Sequence, residues 1–104
     1  MYLCKWELDI VFGKQKEAVE IIKAWGAEKM NSSRFNLSSQ NRVSAGFIGE
    51  SAAHIVDEYV FASLDDFEQA LSDMSKPQFK QFPAAIAPYI VSGSQKWVIN
   101  RIIS

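Results

Sequence analysis

The order of apolar and polar residues divides the chain into two halves, each of which predicts a strand, a helix and a second strand. Apolar and polar positions alternate over residues 2–12, which is typical of a β-strand. Apolar residues then recur at helical spacing, which predicts a helix from about residue 14 to between residues 26 and 30. Serine, asparagine and glutamine dominate residues 31–41, so we predict a loop there, either a solvated connection or a lid over a cavity. The second strand is predicted at residues 42–50.

The second half of the chain repeats this pattern. Alternation over residues 54–62 predicts a third strand, and the short turn before it predicts an antiparallel hairpin with the second strand. A serine cap and an apolar stripe predict a helix over residues 63–76. Apolar residues suggest further helical turns after it, but Pro83 and Pro88 would interrupt a continuous helix. The final strand is predicted to begin after Gly93.

This βαββαβ order predicts a single α+β domain of the ferredoxin-like type covering residues 1–104. Right-handed crossovers give a four-stranded antiparallel sheet, in strand order 4-1-3-2, with both helices on one face. Some apolar residues must then lie on the other face, whichever way the strands are turned. The candidates are Leu3, Val11, Ile48, Val98 and Ile102. We therefore expect a homodimer formed through the open face of the sheet.

The composition disfavours several classes of partner. The 11 basic and 12 acidic residues give a formal net charge of -1 with no long run of either sign, which argues against nucleic acid and anionic membranes. The longest uncharged stretch, residues 81–95, contains two prolines and is shorter than the ~20 residues of a membrane span. The single cysteine, Cys4, can form no internal disulfide, and its apolar strand predicts a buried side chain. We expect a cytoplasmic protein.

The sequence contains no motif for zinc, phosphate or nucleophilic chemistry. A metal carrier with this order of elements needs a Cys-x-x-Cys pair in its first loop, where residues 12–15 read FGKQ. An RNA-recognition domain needs basic and aromatic residues in its third strand, where Asp57 and Glu58 stand instead. We therefore predict no metal site, no cofactor and no nucleic-acid partner.

Three segments resemble the dimeric α+β barrel superfamily, which includes cofactor-independent monooxygenases of the antibiotic-biosynthesis type, haem-degrading enzymes and many uncharacterised proteins. The segments are residues 44–50 (SAGFIGE), 58–68 (EYVFASLDDFE) and 92–97 (SGSQKW). The resemblance covers most of the chain. It implies a dimer in which two sheets pack face to face, with a cavity in each subunit between helices and sheet. Haem-degrading members take their iron ligand from a histidine in the second helical region, and residues 64–89 contain none, which argues against haem chemistry.

Two functional hypotheses of different class remain open. The first is a dimeric small-molecule-binding or structural module without catalysis. Its candidate residues for a small apolar or aromatic ligand are Trp6, Trp25 and Trp97, for which packing alone is the alternative role. An amino-acid-sensing regulatory domain has the same order of elements, but such domains are usually attached to a larger enzyme.

The second hypothesis is a cofactor-independent monooxygenase-like enzyme that acts on an aromatic or polyketide-like small molecule. Such an enzyme needs a base within reach of its substrate in an apolar pocket. The candidate catalytic residues are His54, Tyr59 and Arg101. For Arg101, an ion pair with a strand carboxylate is the competing expectation.

Overall fold

The computed structural model describes residues 1–104 and has the βαββαβ order that the sequence predicts. The four strands are β1 (Tyr2–Asp9), β2 (Gln40–Ala45), β3 (His54–Phe61) and β4 (Lys96–Arg101). The helices are α1 (Gln15–Ser32), α2 (Leu64–Asp73) and the short α3 (Gln81–Ile86). Three 3-10 turns are found at Arg34–Leu37, Pro77–Phe79 and Ala87–Tyr89. The strands form one antiparallel sheet in the order β2-β3-β1-β4, which is the predicted order read from the opposite edge.

The strand register brings the aromatic residues of β1 and β4 together. Trp6 lies opposite Trp97 on one side and Asp57 on the other. Because side chains alternate along a strand, these three residues share the face of the sheet that the helices cover. Lys5, one position earlier, lies opposite Glu58 and points to the open face.

The core lies between the helices and this face of the sheet, in two adjoining clusters. The first is built from Trp6, Leu8, Ile10, Ala18, Ile22, Ile55 and Ile86. The second is built from Cys4, Phe35, Tyr59, Phe61, Phe67 and Ala70. Trp97 packs against both clusters, so β4 connects the two halves of the core.

Several predicted boundaries are wrong. The predicted first strand over residues 2–12 is too long, since β1 ends at Asp9 and Phe12 is fully exposed. The predicted first helix ends too early, since α1 continues to Ser32.

The predicted loop over residues 31–41 contains the last turn of α1, the turn Arg34–Leu37 and the start of β2. This segment is ordered because the Ser33 hydroxyl accepts a hydrogen bond from the Phe35 amide and the Phe35 ring is fully buried. The predicted second strand extends too far, since β2 ends at Ala45 and Phe47 and Ile48 are almost fully exposed in the loop that follows. The chain folds so tightly there that a Cβ at Gly46 would overlap the Ser51 carbonyl.

The open face of the sheet is a mixture of apolar and charged side chains. Leu3, Val56, Val60 and Val98 lie on this face. Among them lie Lys5, Glu7, Arg42, His54 and Glu58. Most of these charged groups are paired: Arg42 contacts Glu58 at 3.2 Å and Lys5 contacts Glu7 at 3.8 Å. Lys96, opposite Glu7 on the same face, has no carboxylate within ion-pair distance. The face is therefore less apolar than the sequence suggested.

None of the helices has both the length and the hydropathy that crossing a membrane requires. The cytoplasmic location stays a prediction.

Candidate functional site

A cavity of about 270 Å³ lies between the helices and the sheet. Four aromatic side chains form most of its wall: Trp6, Trp25, Phe35 and Trp97. Leu71, Met74 and Pro83 contribute aliphatic surface, and Lys29 and Gln95 are the polar residues of the lining. A second cavity of about 310 Å³ shares Trp6, Trp25, Pro83 and Gln95 with it, so the two adjoin.

The three tryptophans named from the sequence all line this cavity, and each comes from a different element. Trp6 is on β1, Trp97 on β4, and Trp25 on α1. The Trp6 and Trp25 rings meet edge to face with centroids 5.6 Å apart. Trp25 also stacks on Phe82 at 5.7 Å, and Trp97 contacts Phe67 at 5.1 Å. The rings are thus fixed by their neighbours, and a role in ligand binding stays a prediction.

A lysine, an aspartate and a tyrosine form a buried polar cluster beside the cavity. The Lys29 ammonium donates to the Tyr59 hydroxyl at 3.3 Å and lies 3.6 Å from Asp57 Oδ2. The Tyr59 hydroxyl in turn donates to Asp57 Oδ2 at 3.1 Å. Asn41 Nδ2 donates to the other Asp57 oxygen at 3.2 Å. We refer to Lys29, Asp57 and Tyr59 as the lysine cluster.

Aromatic rings surround the Lys29 amine. Its Nζ lies 4.5 Å from the Trp25 ring centroid, 4.9 Å from that of Phe35 and 5.7 Å from that of Trp6. These three rings also line the cavity. The faces of aromatic rings attract cations, so the site stabilises a positive charge at this point through both its rings and the Asp57 carboxylate.

Burial shifts the acid–base properties of the whole cluster. It lowers the pKa of Lys29, while the neighbouring Asp57 carboxylate acts in the opposite direction. Burial likewise raises the pKa of Asp57, and Lys29 opposes that shift. The pKa of Tyr59 is raised by burial and by the Asp57 charge, so its hydroxyl stays protonated at neutral pH. The cluster therefore combines an amine, a proton acceptor and a proton donor with little access to water.

One buried donor at the cavity has no partner. Trp25 Nε1 is excluded from solvent and donates no hydrogen bond within the protein. An unsatisfied buried N–H costs ~1–3 kcal/mol.

The 3-10 turn that carries Phe35 is held in place by an ion pair with α2. The Arg34 guanidinium contacts both Asp73 oxygens, at 2.7 and 3.1 Å, and the Arg34 backbone amide donates to Asp73 at 2.8 Å. Asp73 is buried, and these hydrogen bonds hold its pKa well below the usual range. The ion pair thereby fixes the Phe35 ring, which forms one wall of the cavity.

The three candidate catalytic residues do not meet. Tyr59 belongs to the lysine cluster, whereas His54 is on the open face of the sheet, bound to Glu7 and Asp9. Arg101 lies near the start of β1, opposite Tyr2, and no carboxylate lies within ion-pair distance of it. The expected ion pair of Arg101 is wrong, because the strand register places Arg101 opposite Tyr2, whereas Asp57 lies opposite Trp6, four positions further along β1.

The sequence contained a signal for Lys29 that was missed. Residues 18, 22, 25 and 29 recur at helical spacing, so Lys29 continues the apolar stripe of α1 into the core. A lysine on the buried face of a helix is almost never unpaired, and it therefore predicts a buried acidic partner. Asp57, on the buried face of β3, is that partner.

No group of three or more histidine, cysteine, aspartate or glutamate side chains is arranged to hold a metal ion. The one cysteine, Cys4, is a free thiol buried in the core.

The chain was compared with protein-family models, curated proteins and solved structures, and only solved structures match it. No protein-family model matches the chain. No curated protein matches it by sequence. A NIPSNAP domain protein from Burkholderia xenovorans, itself uncharacterised, superposes with a TM-score of 0.78 at 16% identity, over 100% of this chain and 96% of that one. A Caulobacter crescentus protein, provisionally assigned as an antibiotic biosynthesis monooxygenase, has a TM-score of 0.76 at 13% identity, over 99% and 90% of the two chains.

A third structure, the Agrobacterium tumefaciens protein Atu4242, has a TM-score of 0.74 at 19% identity, over 97% of this chain and 92% of that one. These near-complete superpositions decide the fold. The chain has the ferredoxin-like α+β fold that these proteins share. The single-subunit architecture implied by the resemblance of the three sequence segments is thus confirmed, and the dimer stays a prediction. The cavity lies between helices and sheet, where the resemblance implied it.

Proposed function

We propose that this protein is a homodimer that binds one small, uncharged aromatic molecule per subunit in the cavity between helices and sheet. The observation that carries the proposal is the four-ring wall around a buried amine, with the unpartnered Trp25 N–H beside it. Such a combination of apolar lining and few polar groups is typical of small-molecule sites.

The size and lining of the cavity restrict the ligand. Pockets for drug-sized ligands measure ~300–1,000 Å³, so a cavity of about 270 Å³ holds a single-ring compound without extension into the adjoining cavity. Aromatic rings pack favourably edge to face or offset against the tryptophan side chains. The ligand is therefore best described as a small aromatic molecule.

The charges of the lysine cluster favour an uncharged ligand. Asp57 already balances the Lys29 ammonium within 3.6 Å. An aromatic carboxylate bound against Lys29 would bring a second negative charge beside a buried pair that is already balanced, and burying an uncompensated charge is costly.

Cavity-filling substitutions test this proposal. Leu71→Phe enlarges a side chain of the cavity wall, whereas Leu64→Phe makes the same change at an exposed position of the same helix. Binding of benzyl alcohol can be followed through the three tryptophans, all of which line the cavity. We expect saturable quenching that Leu71→Phe weakens and Leu64→Phe preserves. Tryptophan quenching of the unmodified protein that increases linearly with benzyl alcohol, without saturation, would refute the proposal.

The proposal of a homodimer rests on the composition of the open face of the sheet. The helices cover only one face, and the other presents four apolar side chains among charges that are mostly paired. Burying such a face against a second copy leaves few charges unpaired. The neighbours' superfamily is one in which such sheets pack face to face.

The dimer can be tested by light scattering. Val56→Arg introduces a long charged side chain in the middle of the open face, while Ala24→Arg does the same on the exposed side of α1. We expect a dimer for the unmodified protein and for Ala24→Arg, and a monomer for Val56→Arg. A monomeric unmodified protein at micromolar concentration would contradict the proposal.

A second candidate function is a cofactor-independent monooxygenase-like enzyme, and the lysine cluster is the observation that favours it. Asp57 and the Lys29 amine are possible proton acceptors beside an aromatic-lined cavity. Oxygen consumption with a single-ring aromatic hydroquinone would test this function. We expect Lys29→Arg, which keeps a cation beside Asp57, to abolish any such activity and Lys23→Arg, at an exposed lysine of the same helix, to leave it unchanged.

A further inference from the structure

The Lys29 amine has an environment unlike that of the other lysines. Its side chain is only 3% exposed, and its Nζ lies among rings that also line the cavity. Lys16 and Lys23, on the same helix, are exposed to solvent. A lysine amine kept from water in an apolar pocket is the arrangement that makes lysine a nucleophile toward carbonyl compounds.

We propose that Lys29 forms a reversible imine with a single-ring aromatic aldehyde that occupies the cavity, an inference that rests on the proposed function of this cavity. The aldehyde satisfies each of the restrictions that the site places on its ligand. It is aromatic, uncharged and small.

The neighbouring groups supply the proton transfers that the reaction needs. Lys29 donates a hydrogen bond to the Tyr59 hydroxyl, and that hydroxyl donates to Asp57, so a proton can pass from the ammonium to the carboxylate through Tyr59. The freed nitrogen lone pair attacks the carbonyl carbon, the π electrons of the C=O bond move onto oxygen, and the oxygen takes up a proton from the nitrogen. This gives a neutral carbinolamine.

The carbinolamine then loses water. Its hydroxyl leaves with the proton that Asp57 received, the nitrogen lone pair forms the C=N bond, and Asp57 becomes a carboxylate again. The net reaction is ammonium plus aldehyde to iminium plus water, with nothing oxidised or reduced. The positive charge stays on the same nitrogen, where Asp57 and the surrounding rings stabilise it as they stabilise the ammonium.

Reductive trapping with benzaldehyde and cyanoborohydride tests the proposal, because the reductant converts each imine into a stable secondary amine. The modified lysines are then identified by peptide mass mapping of the unmodified protein. Burial lowers the pKa of Lys29 and so raises its unprotonated fraction, and the cavity holds benzaldehyde beside its amine. We expect Lys29 to be labelled several-fold faster than Lys16 and Lys23, at a rate that saturates with benzaldehyde.

Variants and a non-reacting analogue separate this inference from the proposed function. Lys29→Arg keeps a cation beside Asp57 but cannot form an imine, and Lys23→Arg is the matched control. We expect Lys29→Arg to remove the fast label while Lys23→Arg keeps it, and benzyl alcohol to compete with labelling. Labelling of Lys29 no faster than that of Lys16 overturns the imine. If benzyl alcohol still quenches tryptophan fluorescence saturably, the binding function survives that result; if it does not, both proposals fail.

Discussion

Lys29 and Asp57 form an ion pair across the core, with Nζ 3.6 Å from Oδ2 and both side chains 3% exposed or less. One partner comes from the C-terminal part of α1 and the other from the centre of β3. The pair therefore connects the helix layer to the sheet. It also places two opposite charges beside the cavity that Lys29 helps to line.

Removing one member of this pair should strongly destabilise the fold. Lys29→Met leaves the Asp57 carboxylate buried without its counter-charge, and breaking a buried pair in this way costs ~3–5 kcal/mol. Replacing both residues, as in Lys29→Met with Asp57→Leu, removes the uncompensated charge and should recover most of that loss. Urea unfolding of the single and double variants measures the coupling between them. Equal, additive losses would show that the two residues act independently.

The ion pair between Arg34 and Asp73 should make the stability of the fold depend on pH in the acidic range. The pKa of Asp73 is lower in the folded state than in the unfolded chain, because Arg34 and the Arg34 amide donate to its carboxylate. The stabilisation is present above the unfolded pKa of ~3.9 and is lost as pH falls through the folded pKa. The Asp73→Asn variant should be less stable than the unmodified protein at pH 6, and it should lose less stability as the pH falls.

Thermal unfolding between pH 2.5 and pH 6 measures this difference. Asp65→Asn is the matched control, because Asp65 is exposed on the same helix. If Asp73→Asn and Asp65→Asn follow the same curve, the Arg34 contact contributes nothing to the acid sensitivity.

Local patterns predicted the sheet and most of the helices because each element has one buried face. The alternation in β1 is so regular that Cys4, Trp6 and Leu8 are all buried as the pattern requires. The same rule failed after Ala45, where apolar residues continue although the chain has left the sheet. Phe47 is exposed, but in the sequence it continues the apolar alternation as a buried strand residue would. Only the tight backbone turn at Gly46 shows that the strand has ended.

The site could be predicted only in part, because its polar members pair across distant segments. The three tryptophans could be identified as cavity-lining candidates from the size of their side chains alone. The pairing of Lys29 with Asp57 depends on how α1 crosses the sheet, which a local pattern does not contain. Conversely, Arg101 and His54 have reactive side chains but lie outside the cavity, and only the register of the strands reveals this.

Cys4 should be protected from thiol reagents as long as the protein is folded. The residue is fully buried, and burial raises the pKa of its thiol to about 11, so almost no thiolate forms at pH 8. We expect an aromatic disulfide reagent to react with Cys4 at the rate of unfolding in buffer and rapidly in 6 M guanidinium. Fast labelling in buffer would mean that β1 opens readily, contrary to its central place in the sheet.

His54 should titrate above its usual pKa and make the open face of the sheet sensitive to pH. Its two ring nitrogens lie 2.9 Å from carboxylate oxygens of Glu7 and Asp9, so both nitrogens donate only when the ring is charged. These hydrogen bonds raise the pKa of His54, and the Glu50 charge acts in the same direction. The resulting stabilisation is complete below the unfolded pKa of ~6.5 and is lost as pH rises through the folded pKa.

His54 is the only histidine in the chain, so a single imidazole resonance reports its titration by NMR. We expect a midpoint above 6.5 and a melting temperature that falls over the same pH range. His54→Gln should show no such fall, because its amide cannot gain or lose the proton. If the open face is the dimer interface, the dimer should also weaken over that range, since deprotonation leaves Asp9 as an uncompensated charge at the contact and Glu7 with Lys5 alone. A midpoint at or below 6.5 would show that the two carboxylates do not hold the imidazolium in solution.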